Sequence, residues 1–545
     1  MSWFKKIFSA FSSKEKLVFA LTSGLLVVSG FFLIGIFIRE NTKPAPATGG
    51  EYSEAIVGQP AFINPLLADT FTDKTISRLT FASVSELSEK IDSDKSGKVW
   101  KVRLKEGLRW SDGEKLTSDD VIFTLQKIQD PQTSSPFFGS WQGVVVGRVS
   151  ELEVQFNLSS SYGFFAENLS NLYPVPKHIF ADTPASNWRL AEYNLKPIGS
   201  GAYAFKSLSK KEDGFISEYA LKPNKFYAGS QPFIGSVVFN FFTNQKDAIN
   251  SFNSGLSDGL PQIAPEDLSE IKRTYDLHSF PLSNYYAIFL NQSQNVALED
   301  VDVRTALSLA VNRDLIIEKI LLGYGRKQAG PLPQSGESSN SQNFNREEAV
   351  KVFENAGWQL GDDGIREKKI KNELVKLQVE LFSPSKDFLK RTAEMVAEDW
   401  RAVGVDVRLQ VIGAEELLGN QIKNRSYQAL LFGNLVNSSG DLFSFWHSSE
   451  RFYPGLNLSI YNNKNVDRLI EDVRESLTAE NKNAAQNELL RLINRDVPAV
   501  FLYSQPYLFL TTKDIQGVNS VGLEDFSDRA KELRNWYVKV ARTFK

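Results

Sequence analysis

Residues 376–412, KLQVELFSPSKDFLKRTAEMVAEDWRAVGVDVRLQVI, change their hydrophobic period twice, and that change decides the fold class. Lys376 to Phe382 alternates apolar and polar residues like a half-buried strand. From Lys386 to Val403 the apolar positions Phe388, Leu389, Met395, Val396 and Trp400 recur at helical spacing, and Gly404 stands where a helix commonly ends in the left-handed conformation. Val405 to Ile412 alternates again. Strand, helix and strand in about 37 residues form a βαβ unit, which predicts a mostly parallel sheet in an α/β protein.

Outward from this unit, further helices announce themselves by their caps. Asn345 precedes REEAVKVFENAGW as an N-cap, with Gly357 closing that helix. Asp302 opens a helix through Arg304 to Leu309, and Ser118 caps DDVIFTLQKI, which Pro131 stops. At 545 residues the chain exceeds one compact core, so two or three domains are expected. Hydrophobic residues make up 42% and charged residues 23%, the balance of a folded soluble body. With 62 basic and 65 acidic residues, net −3, nothing favours nucleic acid. The absence of cysteine removes disulfides, thiolate metal sites, cysteine nucleophiles and the usual bacterial lipid anchor. Three scattered histidines, His178, His278 and His447, predict no metal site.

Chemistry-bearing motifs fail one by one. Asp92 to Gly97 begins like an EF-hand loop, but its twelfth position is Arg103 where a glutamate is needed, so it reads as a surface turn. Gly323-Tyr-Gly325 lacks a third glycine at dinucleotide spacing, and Gly199-Ser-Gly201 lacks the Gly-Lys that a phosphate loop requires. No HExxH occurs, and no catalytic residues or cofactor are expected.

The N-terminus reads differently from the body. Leu17 to Ile38 carries no charge over 22 residues, enough to cross a hydrocarbon core of about 30 Å as a helix. Lys5, Lys6, Lys14 and Lys16 precede it, which keeps that end cytoplasmic and sends the body outside. A cleaved signal peptide is the competing reading, with Ala45-Pro46-Ala47 as its cleavage site, but the apolar run is long for one. A retained single-pass anchor is therefore expected, followed by a Pro/Gly linker over residues 41–50.

Several segments in order resemble the peptide- and nickel-binding family 5 of extracellular solute-binding proteins. Val57 to Ala68 (VGQPAFINPLLA) resembles its opening strand and Asn-Pro turn. The most specific match is Trp100 to Leu125 (WKVRLKEGLRWSDGEKLTSDDVIFTL), with a tryptophan-bearing strand, an Asp-Gly turn and a helix starting at Ser-Asp-Asp-Val. PVPKHIF (174–180), PIGSGAYAF (197–205), LKPNKFY (221–227), VDVRTALSLAVNR (301–313), GPLP (330–333) and PAVFLY (498–503) follow in order. The resemblance implies a two-lobe periplasmic-binding-protein-like fold of type II, with an extra subdomain in lobe 1, after the transmembrane helix. Its expected divisions are 1–40 cytoplasmic tip and anchor, 51–283 lobe 1 with the insert, 284–494 lobe 2, and 495–545 returning to lobe 1.

The implied function is capture of an oligopeptide or similar solute between the lobes for an ABC permease, by a monomer without enzymatic activity. A membrane-anchored peptide sensor or chaperone, or a binder of a non-peptide solute, are the alternatives. In the family, a Gly-Trp-x-x-Asp-x-x-Asp-Pro stretch binds the ligand's free amine through its first aspartate. The matching stretch is Gly433 to Trp446 (GNLVNSSGDLFSFW), where Ser438 takes the amine-binding position and Asp441 matches the second aspartate. Expected cleft residues are thus Asn437, Ser438, Ser439, Asp441, Phe445 and Trp446, with Phe62 and Asn64 from the first lobe and Tyr285 near the hinge. Asp441 either substitutes for the missing anion or holds the loop.

Overall fold

The computed structural model describes residues 11–332, 343–436 and 439–544. Strand Gln378–Pro384 lies parallel to Asp406–Ile412 in register from Gln378↔Asp406 to Pro384↔Ile412, and helix Asp387–Arg401 crosses between them. Leu389, Ala393, Val396, Ala397 and Trp400 bury the helix's apolar face on this sheet, and the Trp400 indole donates to the Leu307 carbonyl at 2.9 Å. Gly404 takes φ +87° just beyond the helix, a conformation costly for any residue with a Cβ.

The sheet is less parallel than this unit predicts. Its strand order is 326–327, 499–504, 284–290, 429–435, 378–384, 406–412, and three of these five neighbouring pairs run antiparallel. The physical reason is connectivity. Asn284–Leu290 brings the chain into this lobe and Ala499–Ser504 takes it out, so two adjacent strands must point opposite ways.

A second sheet of seven strands, in the order 276–280, 507–511, 259–261, 51–57, 236–242, 216–223, 203–210, forms the first lobe. Its core holds one fully buried ion pair: Arg529 Nη2 lies 2.6 Å from Glu54 Oε1, while the Tyr52 hydroxyl donates to the other Glu54 oxygen at 2.5 Å. The Arg529 guanidinium also lies 4.2 Å over the Phe509 ring, which fastens the C-terminal segment to the sheet. Between residues 88 and 157 an antiparallel four-stranded sheet (88–93, 99–104, 153–157, 145–150) forms the insert and packs on helix Ser118–Ile128. That helix is capped by Thr117, one residue before the expected Ser118; Ser118 instead donates its hydroxyl to the Ser150 carbonyl at 2.6 Å. Likewise the helix Val301–Ala310 starts from Asp300, and Asp302 lies in its first turn.

The signature segments are scaffold. Gly113 turns at φ +102°, and the adjacent Asp112 carboxylate meets the His178 ring at 2.8 Å, joining the Asp-Gly turn to PVPKHIF. A Cβ on Gly199 would overlap the Thr80 carbonyl oxygen. Arg304 is buried and its guanidinium donates to the carbonyls of Leu298, Glu299, Asp496 and Val497, closing the C-terminal end of helix Ala479–Asp496. In the aborted calcium motif, the Asp94 carboxylate accepts from the backbone N–H of Lys98 and Val99 and simply closes a hairpin.

Two crossings join the lobes, at residues 281–283 and at 505–506. The Asn284 side-chain oxygen accepts from the Ser504 hydroxyl at 3.0 Å and from Gln505 N–H at 3.2 Å, tying one crossing to the other. The second crossing falls after Ser504 instead of at the expected 495, because strand Ala499–Ser504 still pairs in the second-lobe sheet.

Helix Ser13–Asn41 is long and apolar enough to cross a membrane, and none of it is buried in the body. The expected linker is not one. Thr42–Ala47 forms a strand paired antiparallel with Lys539–Phe544, in register from Thr42↔Phe544 to Ala47↔Lys539. The alternate prolines at 44 and 46 fit an edge whose N–H groups would face away from the partner.

Candidate ligand cleft

Between the lobes lies a cleft of about 960 Å³, walled by the first lobe, the insert and the second lobe together. From the first lobe come Lys74, Ser77 and Arg78 on helix Phe71–Thr80, facing Asp525. Arg78 reaches Asp525 at 3.0 Å and Asp528 at 3.4 Å. Burial draws its guanidinium pKa down, but Asp528, Tyr173 and Asp525 together hold it above the usual value. The insert contributes the serines at 159–161, Tyr162 and the ring of Trp141. From the second lobe, helix Lys464–Glu475 offers Glu471, Arg474 and Glu475, three and four residues apart and so on one face.

The lobes touch across the cleft around Asp441. Its carboxylate accepts from the Tyr162 hydroxyl of the insert at 3.1 Å and from Phe443 N–H at 3.0 Å, and lies 3.1 Å from Arg474 Nε. Burial, reinforced by the Asp441 charge, pushes the Tyr162 phenol well above its ordinary pKa, so it stays a donor. Arg474 lies 4.3 Å over the Phe443 ring and 5.2 Å over Tyr162, and Phe443 stacks at 4.3 Å on His447. Beside this, Gly163 N–H donates to the Arg474 carbonyl at 2.6 Å and the Ser161 hydroxyl to the Glu475 carbonyl at 3.2 Å. A Cβ on Gly163 would overlap the Ser476 carbonyl oxygen, so only glycine lets the two backbones approach this closely.

Of the residues expected in the cleft, Asp441 lines it and Ser439 lies beside it, its hydroxyl accepting from Asp441 N–H at 3.3 Å. Asn437 and Ser438 lie outside the described residues. The other expected residues are packed elsewhere. The Tyr285 hydroxyl is fully buried and accepts from Asn434 at 2.8 Å and the Trp446 indole at 3.2 Å, so both rings belong to the second-lobe core; Phe445 packs against the same core. Asn64 folds its side chain onto Leu66 N–H at 3.0 Å, stabilising the Asn-Pro turn, and Phe62 packs on the insert beneath Arg189. Their sequence neighbours, Pro65 and Ala68 in one segment and Phe443 and Ser444 in the other, are what the wall presents. Tyr162, Phe443, Glu471 and Arg474 carried no sequence signal of their own. Arg474 in particular reads as an ordinary cation in a helix's last turn.

Two α/β lobes joined by two adjacent crossings, with a cleft between them and a subdomain inserted in the first, define a solute-binding protein of the periplasmic-binding type. Residues 82–452 match the middle region of the bacterial extracellular solute-binding proteins, family 5, and the chain belongs to that family. It is similar to the oligopeptide-binding protein AppA of Bacillus subtilis, 25% identical over 524 residues, covering 88% of this chain and 93% of that protein. The dipeptide-binding protein of Escherichia coli is 22% identical over 542 residues, covering 92% and 98%. Among solved structures, the ABC transporter substrate-binding protein CtaP of Listeria monocytogenes superposes with a TM-score of 0.75 at 21% identity, over 90% of this chain and all of that one. Bacillus subtilis AppA in complex with a nonapeptide gives 0.66 at 22% identity, over 91% of this chain and 100% of that one.

Proposed function

We propose that the protein captures oligopeptides outside the cell, between its two lobes, and delivers them to an ABC importer while remaining tethered by its N-terminal helix. The observation that carries this is the 960 Å³ cleft shared by both lobes and the insert, at the upper end of the range for small-molecule pockets. Its wall alternates hydroxyls, carboxylates, guanidinium groups and aromatic rings, a mixture suited to a zwitterionic, amide-rich chain. Membership of a solute-binding family and the resemblance to proteins named for oligopeptide and dipeptide binding support the same reading. The role is capture and release rather than catalysis. Asp441, Tyr162 and Arg474 act as the contact that holds the lobes together around the ligand, and the ligand amine is met elsewhere on the wall.

Retention of the helix is supported by the strand that follows it. Cleavage after Ala47 would remove residues 42–47, with which Lys539–Phe544 is paired. Native mass spectrometry of the full chain extracted in detergent tests both parts. The expected spectrum shows the uncleaved mass carrying peptides of mixed sequence that leave on mild heating. A chain that takes up neither its own co-purified peptides nor a peptide library would overturn peptide capture.

A further inference from the structure

We infer that the protein stands on the membrane on two legs, and that the second, strand Lys539–Phe544, rests on the anionic phospholipid headgroups around the helix. This inference assumes that the helix is retained, as argued above. The uncharged run ends at Ile38, and Arg39, Glu40 and Asn41 continue the same helix. At about 1.5 Å per residue, Thr42 lies about 6 Å beyond the apolar run, which is within an interfacial layer of about 5–7 Å per leaflet. Phe544 is paired with Thr42, so the register brings that ring to the same depth. It is 73% exposed. An exposed apolar ring at this level can bury itself at the headgroup and acyl-chain boundary.

The charge agrees. Residues 39–47 and 539–544 contain Arg39, Lys43, Lys539 and Arg542 against Glu40 alone. Arg542 also binds the helix end itself. Its guanidinium donates to the Thr42 hydroxyl at 2.8 Å and to the carbonyl oxygens of Arg39 at 3.3 Å and Thr42 at 3.4 Å. Those last-turn carbonyls have no partner within the helix, so this contact satisfies groups that water or headgroups would otherwise have to serve. Both legs are also fixed to the body. Gly49 N–H donates to the Phe233 carbonyl at 2.7 Å and Gly235 N–H to the Gly50 carbonyl at 3.0 Å, while Tyr537 and Gln516 exchange backbone hydrogen bonds at 3.0 and 2.9 Å. A ribbon of six paired residues spans about 20 Å, so the body is held at a set distance from the bilayer and does not swing on a loose tether.

The chain has no cysteine, so single cysteines can be labelled cleanly. The full chain carrying Phe544→Cys, or Leu374→Cys on the exposed second lobe as control, would be labelled with an environment-sensitive fluorophore. Each would be reconstituted in bilayers of phosphatidylcholine with or without phosphatidylglycerol. The label at 544 is expected to be several-fold less quenched by an aqueous quencher than the control, and to be quenched by a lipid-borne one. Phosphatidylglycerol should strengthen both effects, and Lys43→Glu with Arg542→Glu should remove that strengthening. A label at 544 as water-accessible as the control, in either bilayer, overturns the inference. A Lys43→Cys, Thr543→Cys pair should form a disulfide on mild oxidation, and failure to form it overturns the ribbon itself. The mass of the reconstituted chain separates these failures from loss of the anchor. A chain starting near residue 48 sinks helix retention, whereas a full-length chain with an exposed 544 sinks only the second leg.

Discussion

At the scale of single residues, Asp441 decides what kind of aspartate this cleft contains. As a ligand partner it would lose its attraction for an amine on neutralisation. Its carboxylate is instead engaged by Arg474 and Tyr162, one from each side of the cleft. Asp441→Asn is therefore expected to weaken an amine-bearing peptide and its N-acetylated form equally, by about tenfold or ~1.4 kcal/mol, because the change acts on closure. Isothermal titration with both peptides checks this, and selective loss for the free amine would restore Asp441 as the ligand's anion. Sequence reading expected Asp441 in the cleft because it keeps the family's spacing, and the residue lines the cleft wall. It misplaced Tyr285 and Trp446 because a buried aromatic with a polar tip looks the same whether the tip meets a ligand or, as here, another side chain.

At the scale of elements, the loop around Gly163 and the end of helix Lys464–Glu475 form a clasp built from backbone contacts. Gly163→Val places a side chain where the Ser476 carbonyl already sits, so the clasp cannot seat. Peptide affinity is expected to fall at least about tenfold, while the melting temperature without ligand changes little, since the atoms nearest the added side chain belong to Arg474 and Ser476 across the cleft. A matching loss of unliganded stability would show that the loop matters for folding and is not a clasp. Elements themselves were the most legible part of the chain. Periodicity and caps located helix 387–401 and helix 346–355 because both signals are local. The pairing of 42–47 with 539–544 was not legible: TKPAPA has the composition of a loose linker, and its partner lies some five hundred residues away.

At the scale of the whole molecule, two adjacent crossings tied by Asn284 make a hinge, and the clasp lies across the cleft between the lobes. Saturating peptide should raise the melting temperature and reduce the radius of gyration in small-angle scattering, because only the native closed state binds. Scattering curves that superpose with and without a peptide shown to bind would remove hinge closure from the account. The mixed direction of the second-lobe sheet was beyond local reading for the same reason the ribbon of 42–47 with 539–544 was: it is set by which distant strand comes home beside which. That dependence has an outcome for biosynthesis. The helix leaves the ribosome about five hundred residues before Lys539–Phe544, so the ribbon that follows it closes only after all the intervening chain has been made. The first-lobe sheet likewise waits for strand Tyr507–Thr511. A chain interrupted anywhere before these segments would carry an open ribbon and an unpaired sheet edge, the kind of exposed backbone that invites cleavage and pairing with other chains.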